Sequence, residues 1–82
     1  MLIYGVRYDI EPPELGQAMQ DALRQNGWAE REDGGYVGLF GSAQEAATTF
    51  DRLANIIGAR IIARYVFEHL TDRFVPVIPE IP

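Results

Sequence analysis

The chain has 82 residues, a length that predicts a single domain burying only roughly 60–65% of its unfolded surface, so that a second copy would help to stabilise it. With no cysteine and one histidine, it offers neither a disulfide framework nor a thiolate metal site, and zinc is disfavoured. The formal net charge of −5 argues against a nucleic-acid coat protein, and the absence of a bilayer-length apolar run or a signal pattern predicts a cytoplasmic protein with no membrane partner.

The first predicted strand lies in YGVRYDIEPPE, residues 4–14. Alternate residues of a strand point to opposite faces of a sheet, so this segment has an apolar face and a mixed one. We expect the apolar face to pack against helices, and the face with Arg7 and Asp9 to meet water, a partner or a substrate. The apolar face consists of Leu2, Tyr4, Val6, Tyr8 and Ile10.

Two amphipathic helices are predicted further along the chain. The first follows Pro12 and Pro13 and ends at Gly27, with apolar residues recurring at helical spacing. Between the helices, WAEREDGGYVGLF, residues 28–40, predicts a hairpin that turns at Asp33-Gly34. The second helix begins at SAQE, residues 42–45, a capping-box sequence, and is closed by Gly58.

The last predicted strand is ARIIARYVF, residues 59–67, and the tail RFVPVIPEIP cannot be a central strand because proline donates no ladder hydrogen bond. The element order β-α-β-β-α-β predicts an α+β, ferredoxin-like fold, an antiparallel sheet with two helices on one face. We place a single domain at residues 1–74 and a Pro-rich, apolar, extended C-terminal arm at residues 75–82.

The sheet face away from the helices predicts a homodimer. Both sides of the last strand are apolar enough to be buried, and one of them has no helix to cover it, so a second copy is the expected cover. The uncovered set is either Ile62, Arg64 and Val66 or Ile61, Ala63, Tyr65 and Phe67.

Three segments resemble the virulence-associated protein D (VapD) family: YGVRYDI (4–10), DALRQNGW (21–28) and RYVFEHLTDRF (64–74). DGGYVGLF (33–40) also falls where that family has a polar-Gly-aromatic entry into its third strand, and YDI is similar to the strand-terminal aspartate of the CRISPR adaptation nucleases. The resemblance implies a ferredoxin-like dimer that acts as an endoribonuclease in toxin–antitoxin or virulence settings. It implicates Asp9 in cleavage, and it implies that the C-terminal arm lies along the partner protomer.

Asp9 could act in two ways at such a dimer cleft. Two Asp9 carboxylates, one from each chain, could hold Mg²⁺, or Asp9 could be the base that activates a ribose 2′-hydroxyl. Arg7 on the same face is the expected phosphate ligand, assisted by Arg60 or Arg64 from the neighbouring strand. The alternative is that Asp9 only turns the chain into the two prolines, where Asp is common.

Two further alternatives stay open. His69 is the only imidazole and could act as a general acid or base, although a lone His after a strand is more often solvated or capped. The protein could also be a catalytically silent relative that binds a protein, as an antitoxin-like or phage-encoded inhibitor. The acidic charge and the absence of lysine favour that second function, since all seven cations are Arg.

Overall fold

The computed structural model of the chain describes residues 1–78. Within them, two α-helices and a short 3₁₀ turn alternate with five strands. In chain order the elements are β1 (Leu2–Glu11), the 3₁₀ turn (Pro13–Leu15), α1 (Gly16–Gln25), β2 (Ala29–Glu30), β3 (Tyr36–Phe40), α2 (Ala43–Ile57), β4 (Arg60–Glu68) and β5 (Arg73–Phe74). Neither described helix is long and apolar enough to cross a bilayer.

The five strands form one antiparallel sheet in the order β2-β3-β1-β4-β5. The two helices contact each other, and together with the sheet they enclose a single hydrophobic core. This arrangement confirms the predicted α+β class, and it is compatible with a ferredoxin-like fold to which the short β5 is added. The hairpin predicted around Asp33-Gly34 is present as β2 and β3.

The even-numbered residues of β1 face the helices, as their apolar character predicts. Val6 is fully buried and pairs with Val66 of β4, which is also buried. Tyr8 packs on Phe50 of α2, with the ring centroids 4.9 Å apart. The odd-numbered residues of β1 therefore lie on the opposite side, which we call the outer face.

A β-bulge changes which residues of β4 face the core. Asp9 pairs with Ala63, but Ile10 pairs with Ile61, so Ile62 has no register partner on β1. Such an extra residue shifts the alternation of side chains by one position. Each of the two residue sets expected for the uncovered face therefore fails to match a single face of the sheet. Ile61, Arg64 and Val66 share the core side of β1, whereas Ala63, Tyr65 and Phe67 share its outer face.

The ends of α2 have the predicted caps. The Ser42 side chain accepts a hydrogen bond from the Glu45 backbone N–H at 3.1 Å, and Gly58 ends the helix with a left-handed φ of 80°. One detail differs from a reciprocal capping box: the Glu45 carboxylate accepts from the backbone N–H of Gly41, not from that of Ser42. Both polar contacts fix the chain where it leaves β3 and enters α2.

The described part of the C-terminal segment packs on its own chain. The backbone N–H of Val75 donates to the Val66 carbonyl at 2.8 Å, and Val75 and Val77 contact the hydrophobic core. Apolar residues at this sheet edge thus cover the core of the same protomer, and the placement of the arm along a partner stays a prediction. The expectation for residues 79–82 lies outside the described residues.

Candidate functional site

Asp9 is an exposed side chain on the outer face, beside the bulge. Asp is depleted in strands, so its place near the end of β1 is unusual for a purely structural residue. Within residues 1–78, the Asp9 carboxylate neither accepts a hydrogen bond nor forms an ion pair. The other four aspartates are all ion-paired: Asp21, Asp33, Asp51 and Asp72. Asp9 is thus the one aspartate of the described chain whose carboxylate is open to a ligand.

Arg7 lies two residues before Asp9 on the same face, within a ring of four charges. Its guanidinium contacts Asp33 and also Asp72, the latter at 3.4 Å. Arg31 contacts the same two carboxylates, each at 3.2 Å. Each carboxylate therefore bridges both guanidinium groups, and each guanidinium contacts both carboxylates. We call Arg7, Arg31, Asp33 and Asp72 the charge ring.

The charge ring is built over the Phe67 side chain. The guanidinium carbon atoms of Arg7 and Arg31 lie 4.3 Å and 4.8 Å from the Phe67 ring centroid. Phe67 is only 2% exposed although it lies on the outer face, because the two arginines cover it. Stacking on an aromatic face is a favourable position for a guanidinium, since the ring quadrupole attracts the cation.

Contacts within the charge ring shift the pKa values of its members. A hydrogen bond from Arg7 lowers the pKa of Asp33, and the Gly35 backbone N–H and the Arg31 charge lower it further. The Arg7 pKa is raised in turn, chiefly by its hydrogen bond to Asp33. The Asp33 carboxylate and the Arg7 guanidinium therefore stay charged at neutral pH, and the formal charges of the two arginines and two aspartates sum to zero.

The charge ring was not predicted from the sequence. Asp33 was expected only as part of the hairpin turn, and Arg31 and Asp72 were not among the candidate residues. The residues that meet Arg7 are 26 and 65 positions away from it along the chain, so no local spacing could indicate the contacts. The one usable signal is the Asp33-Gly34 turn, which returns the chain to the sheet beside β1.

The two arginines expected to assist Arg7 lie elsewhere. Arg64 faces the core side of the sheet, where its buried side chain makes two hydrogen bonds of 2.8 Å and 2.9 Å with the Asp51 carboxylate. Arg64 is the register partner of Tyr8, so its side chain lies on the face of the sheet opposite Asp9. Arg60 is exposed and is paired with Glu11, two residues beyond Asp9, at 2.7 Å.

The remaining candidates are also separated from Asp9. His69 follows β4, where its backbone N–H donates to the Ile3 carbonyl, and its buried Nδ1 has no hydrogen-bond partner among the described residues. His69 therefore lies at the other end of β1 from Asp9. Tyr8 and Tyr36 pack within the core, whereas Tyr65 is exposed on the outer face.

The geometry supplies one carboxylate for a metal ion per chain. Within residues 1–78, no three His, Asp or Glu side chains are close enough together to hold a metal ion. A Mg²⁺ at Asp9 would need further oxygen ligands from water, a phosphate or a second copy of the chain, which is compatible with the way Mg²⁺ binds in proteins.

The outer face also exposes large apolar side chains around the charged residues. Leu39, Tyr65 and Phe74 are each more than half exposed, and the Tyr65 and Phe74 rings contact each other edge-on. Exposed apolar groups that share one face indicate an interaction surface.

Comparison of the chain with protein-family models, with curated proteins and with solved structures finds no match.

Proposed function

We propose that this chain is a small homodimeric endoribonuclease in which the Asp9 carboxylate reacts. The observation that carries the proposal is the isolation of Asp9: it is exposed on a strand, beside a bulge, and it alone among the described aspartates has no cation partner. Bulges are over-represented next to active sites because they re-aim a side chain. The resemblance of YGVRYDI, residues 4–10, to VapD proteins adds support from the sequence.

The dimer is proposed to form through the outer faces of two protomers. The exposed Leu39, Tyr65 and Phe74 side chains would be covered by the second copy. A two-fold axis through this surface brings like residues of both chains together, so that both Asp9 side chains border one cleft. Each chain alone supplies a single carboxylate there, and the second chain completes the site.

Two chemistries are open to Asp9. As a general base it would take the proton of a ribose 2′-hydroxyl; the 2′-oxygen would then attack the phosphorus and expel the 5′-oxygen, which takes a proton from water, leaving a 2′,3′-cyclic phosphate. Two Asp9 carboxylates could instead hold Mg²⁺, which would supply a hydrolytic route: the oxygen of a water molecule bonds to the phosphorus, one bridging P–O bond breaks, and the departing oxygen takes a proton from that water. Only the second route cleaves a strand whose reacting 2′-hydroxyl has been removed.

The test is cleavage of end-labelled RNA by purified wild type and Asp9→Asn, with Mg²⁺ or with a chelator. We expect Asp9→Asn to lose cleavage and to keep its melting temperature, because the Asp9 side chain makes no contact that the amide could lose. Asp21→Asn is the matched control, since it makes the same change on the surface of α1. Cleavage by Asp9→Asn at the wild-type rate would refute the assignment, and a 2′-deoxy substrate separates the two chemistries.

A catalytically silent, protein-binding relative is the second candidate. It is favoured by the charge ring, whose arginines are already satisfied by carboxylates, and by the exposed apolar residues of the outer face. This function predicts that the wild type leaves RNA intact under every condition. It also predicts that Tyr65→Asp, on the outer face, disrupts binding to an antitoxin-like or other protein partner.

A further inference from the structure

The charge ring has an order from the inside to the outside of the molecule. Phe67 lies at the bottom and is buried, and Arg31 above it is 21% exposed along its side chain. The Arg7 and Asp33 side chains are about equally exposed, at 39% and 40%, and Asp72 is the most exposed member at 57%. Both arginines are fixed by stacking on the aromatic ring, whereas the carboxylates can leave without uncovering the core.

Both arginines converge on single oxygen atoms. Asp33 Oδ2 accepts a hydrogen bond from Arg7 and is ion-paired with Arg31, and Asp72 Oδ1 accepts hydrogen bonds from both arginines. Two guanidinium groups that share oxygen ligands in this way match the oxygens of a phosphate group, which arginine binds with the same planar donors that it uses for carboxylates. The two carboxylates therefore lie where phosphate oxygens would bind.

The charge ring is also close to the proposed reacting group. Arg7 and Asp9 are two residues apart on the same face of β1, a separation of roughly 7 Å along a strand. A phosphate held by Arg7 would therefore lie about one nucleotide from the Asp9 carboxylate.

We propose that Arg7 and Arg31 form a phosphate-binding site that Asp33 and Asp72 close with their own carboxylates until a phosphodiester of single-stranded RNA displaces them. This inference rests on the proposed function for the nature of the substrate, but the site itself is defined by the charge ring. Asp33 and Asp72 act as internal competitors of the ligand, which weakens binding of any phosphate that cannot displace both.

The test measures binding in the Asp9→Asn background, so that cleavage plays no part. The probes are inorganic phosphate, followed by calorimetry, and a fluorescent ten-residue oligouridylate, followed by anisotropy. We expect Asp33→Asn with Asp72→Asn to tighten binding of both probes about tenfold, the gain expected when two exposed carboxylates no longer compete for the arginines. The double variant Glu14→Gln with Asp21→Asn, which removes two exposed carboxylates outside the charge ring, controls for the same change of two in net charge.

Substitution of the arginines gives the second arm of the test. Arg7→Gln and Arg31→Gln should each weaken oligouridylate binding and reduce the dependence of log Kd on log salt by about one. Arg52→Gln, on the surface of α2, should do neither. Melting curves of every variant establish that it is folded.

The outcomes separate this inference from the proposed function. If Asp33→Asn with Asp72→Asn binds neither probe more tightly than Glu14→Gln with Asp21→Asn, the charge ring only ties the loops to the sheet and the inference is wrong. If the double variant of the charge ring binds inorganic phosphate more tightly but not the oligouridylate, RNA is not the ligand and the site binds small phosphates. If that double variant binds both probes more tightly but the wild type, which has Asp9, cleaves no RNA, the phosphate site is supported and the nuclease function is refuted.

Discussion

The Phe67 ring fills the space beside the Gly5 backbone that a side chain would otherwise occupy. A Cβ atom on residue 5 would lie 2.1 Å from Cζ of Phe67, and one on Gly35 would lie 3.2 Å from the same atom. Gly5 of β1 and Gly35, just before β3, thus form a recess in which the Phe67 ring is buried on the outer face. The arginines of the charge ring depend on that recess, because they stack on the ring that it holds.

Gly5→Ala should therefore disrupt the charge ring as well as the fold. The new methyl group forces Phe67 out of the recess, and overpacking of this kind destabilises by roughly 1–3 kcal/mol. Gly16→Ala is the control: it lies at the start of α1 with nothing within 4 Å of the new Cβ, and it should be neutral or slightly stabilising. Chemical denaturation measures both. An unchanged midpoint for Gly5→Ala would show that Phe67 is free to move, and the Phe67→Leu background should relieve the loss.

The buried Arg64–Asp51 pair should be the most sensitive ion pair in the described chain. Asp51→Ala removes the carboxylate that pairs with the buried Arg64 guanidinium. Breaking a buried pair of this type lowers the free energy of unfolding by about 3–5 kcal/mol. Asp51 is itself about one-third exposed, so we expect the lower part of that range. Asp21→Ala, at an exposed pair 3.8 Å from Arg24, should change the free energy of unfolding by less than about 1 kcal/mol. Equal losses in the two variants would contradict this ranking.

Self-association through the outer face is tested by placing a charge on it. Leu39→Asp and Tyr65→Asp should convert the proposed dimer into a monomer at micromolar concentration, because an unpaired carboxylate would be buried between the protomers. Ile56→Asp makes a comparable change at a 71% exposed position on α2, and it should leave the dimer intact. Light scattering of the three variants and the wild type decides the matter. If the wild type is a monomer, the proposed dimer and the proposed cleft between its two chains are both wrong.

Stability at high pH should depend on Tyr8. Burial, with smaller contributions from the nearby Tyr36 and Glu30, raises the pKa of Tyr8 to about 12. The ordinary tyrosine pKa is about 10, so the folded state binds the phenolic proton more tightly than the unfolded state does. That contribution to stability is fully present below about pH 10 and is lost as the pH rises towards 12.

Melting temperatures measured between pH 9 and 12 should therefore fall more steeply for wild type than for Tyr8→Phe, which has no proton to lose at this position. Ultraviolet titration of the folded protein should show one phenol fewer ionising near the top of that range in the variant. Parallel pH profiles for the two proteins would show that Tyr8 ionises as freely in the folded state as in the unfolded one.

Local features of the sequence were sufficient to predict the elements. The alternation around Val6, the capping sequence at Ser42 and the terminal Gly58 each act within a few residues, and the structure has the corresponding strand and helix ends. Asp9 and Arg7 were also placed correctly on one face, because period-two alternation holds throughout β1 as far as the bulge.

Features that depend on contacts between distant segments could not be predicted. The bulge at Ile62 follows from how β4 fits against β1, and the alternation of β4 alone gave two complete sets of which neither exists. The charge ring joins the turn after β2 and the loop after β4 to Arg7. The packing of Val77 on its own core likewise depends on the edge that β4 presents to the tail.

The bulge divides β4 into two segments with opposite tolerance to mutation. After Ile62, the positions that face the core are even-numbered, as at Arg64 and Val66; before it, the core-facing position is the odd-numbered Ile61. A saturation scan of this strand should therefore show an odd–even pattern of sensitivity that reverses phase at residue 62. Deletion of Ile62 would remove the extra residue, so that Ile61 and Arg64 would be two positions apart and would both stay on the core side in one unbroken alternation.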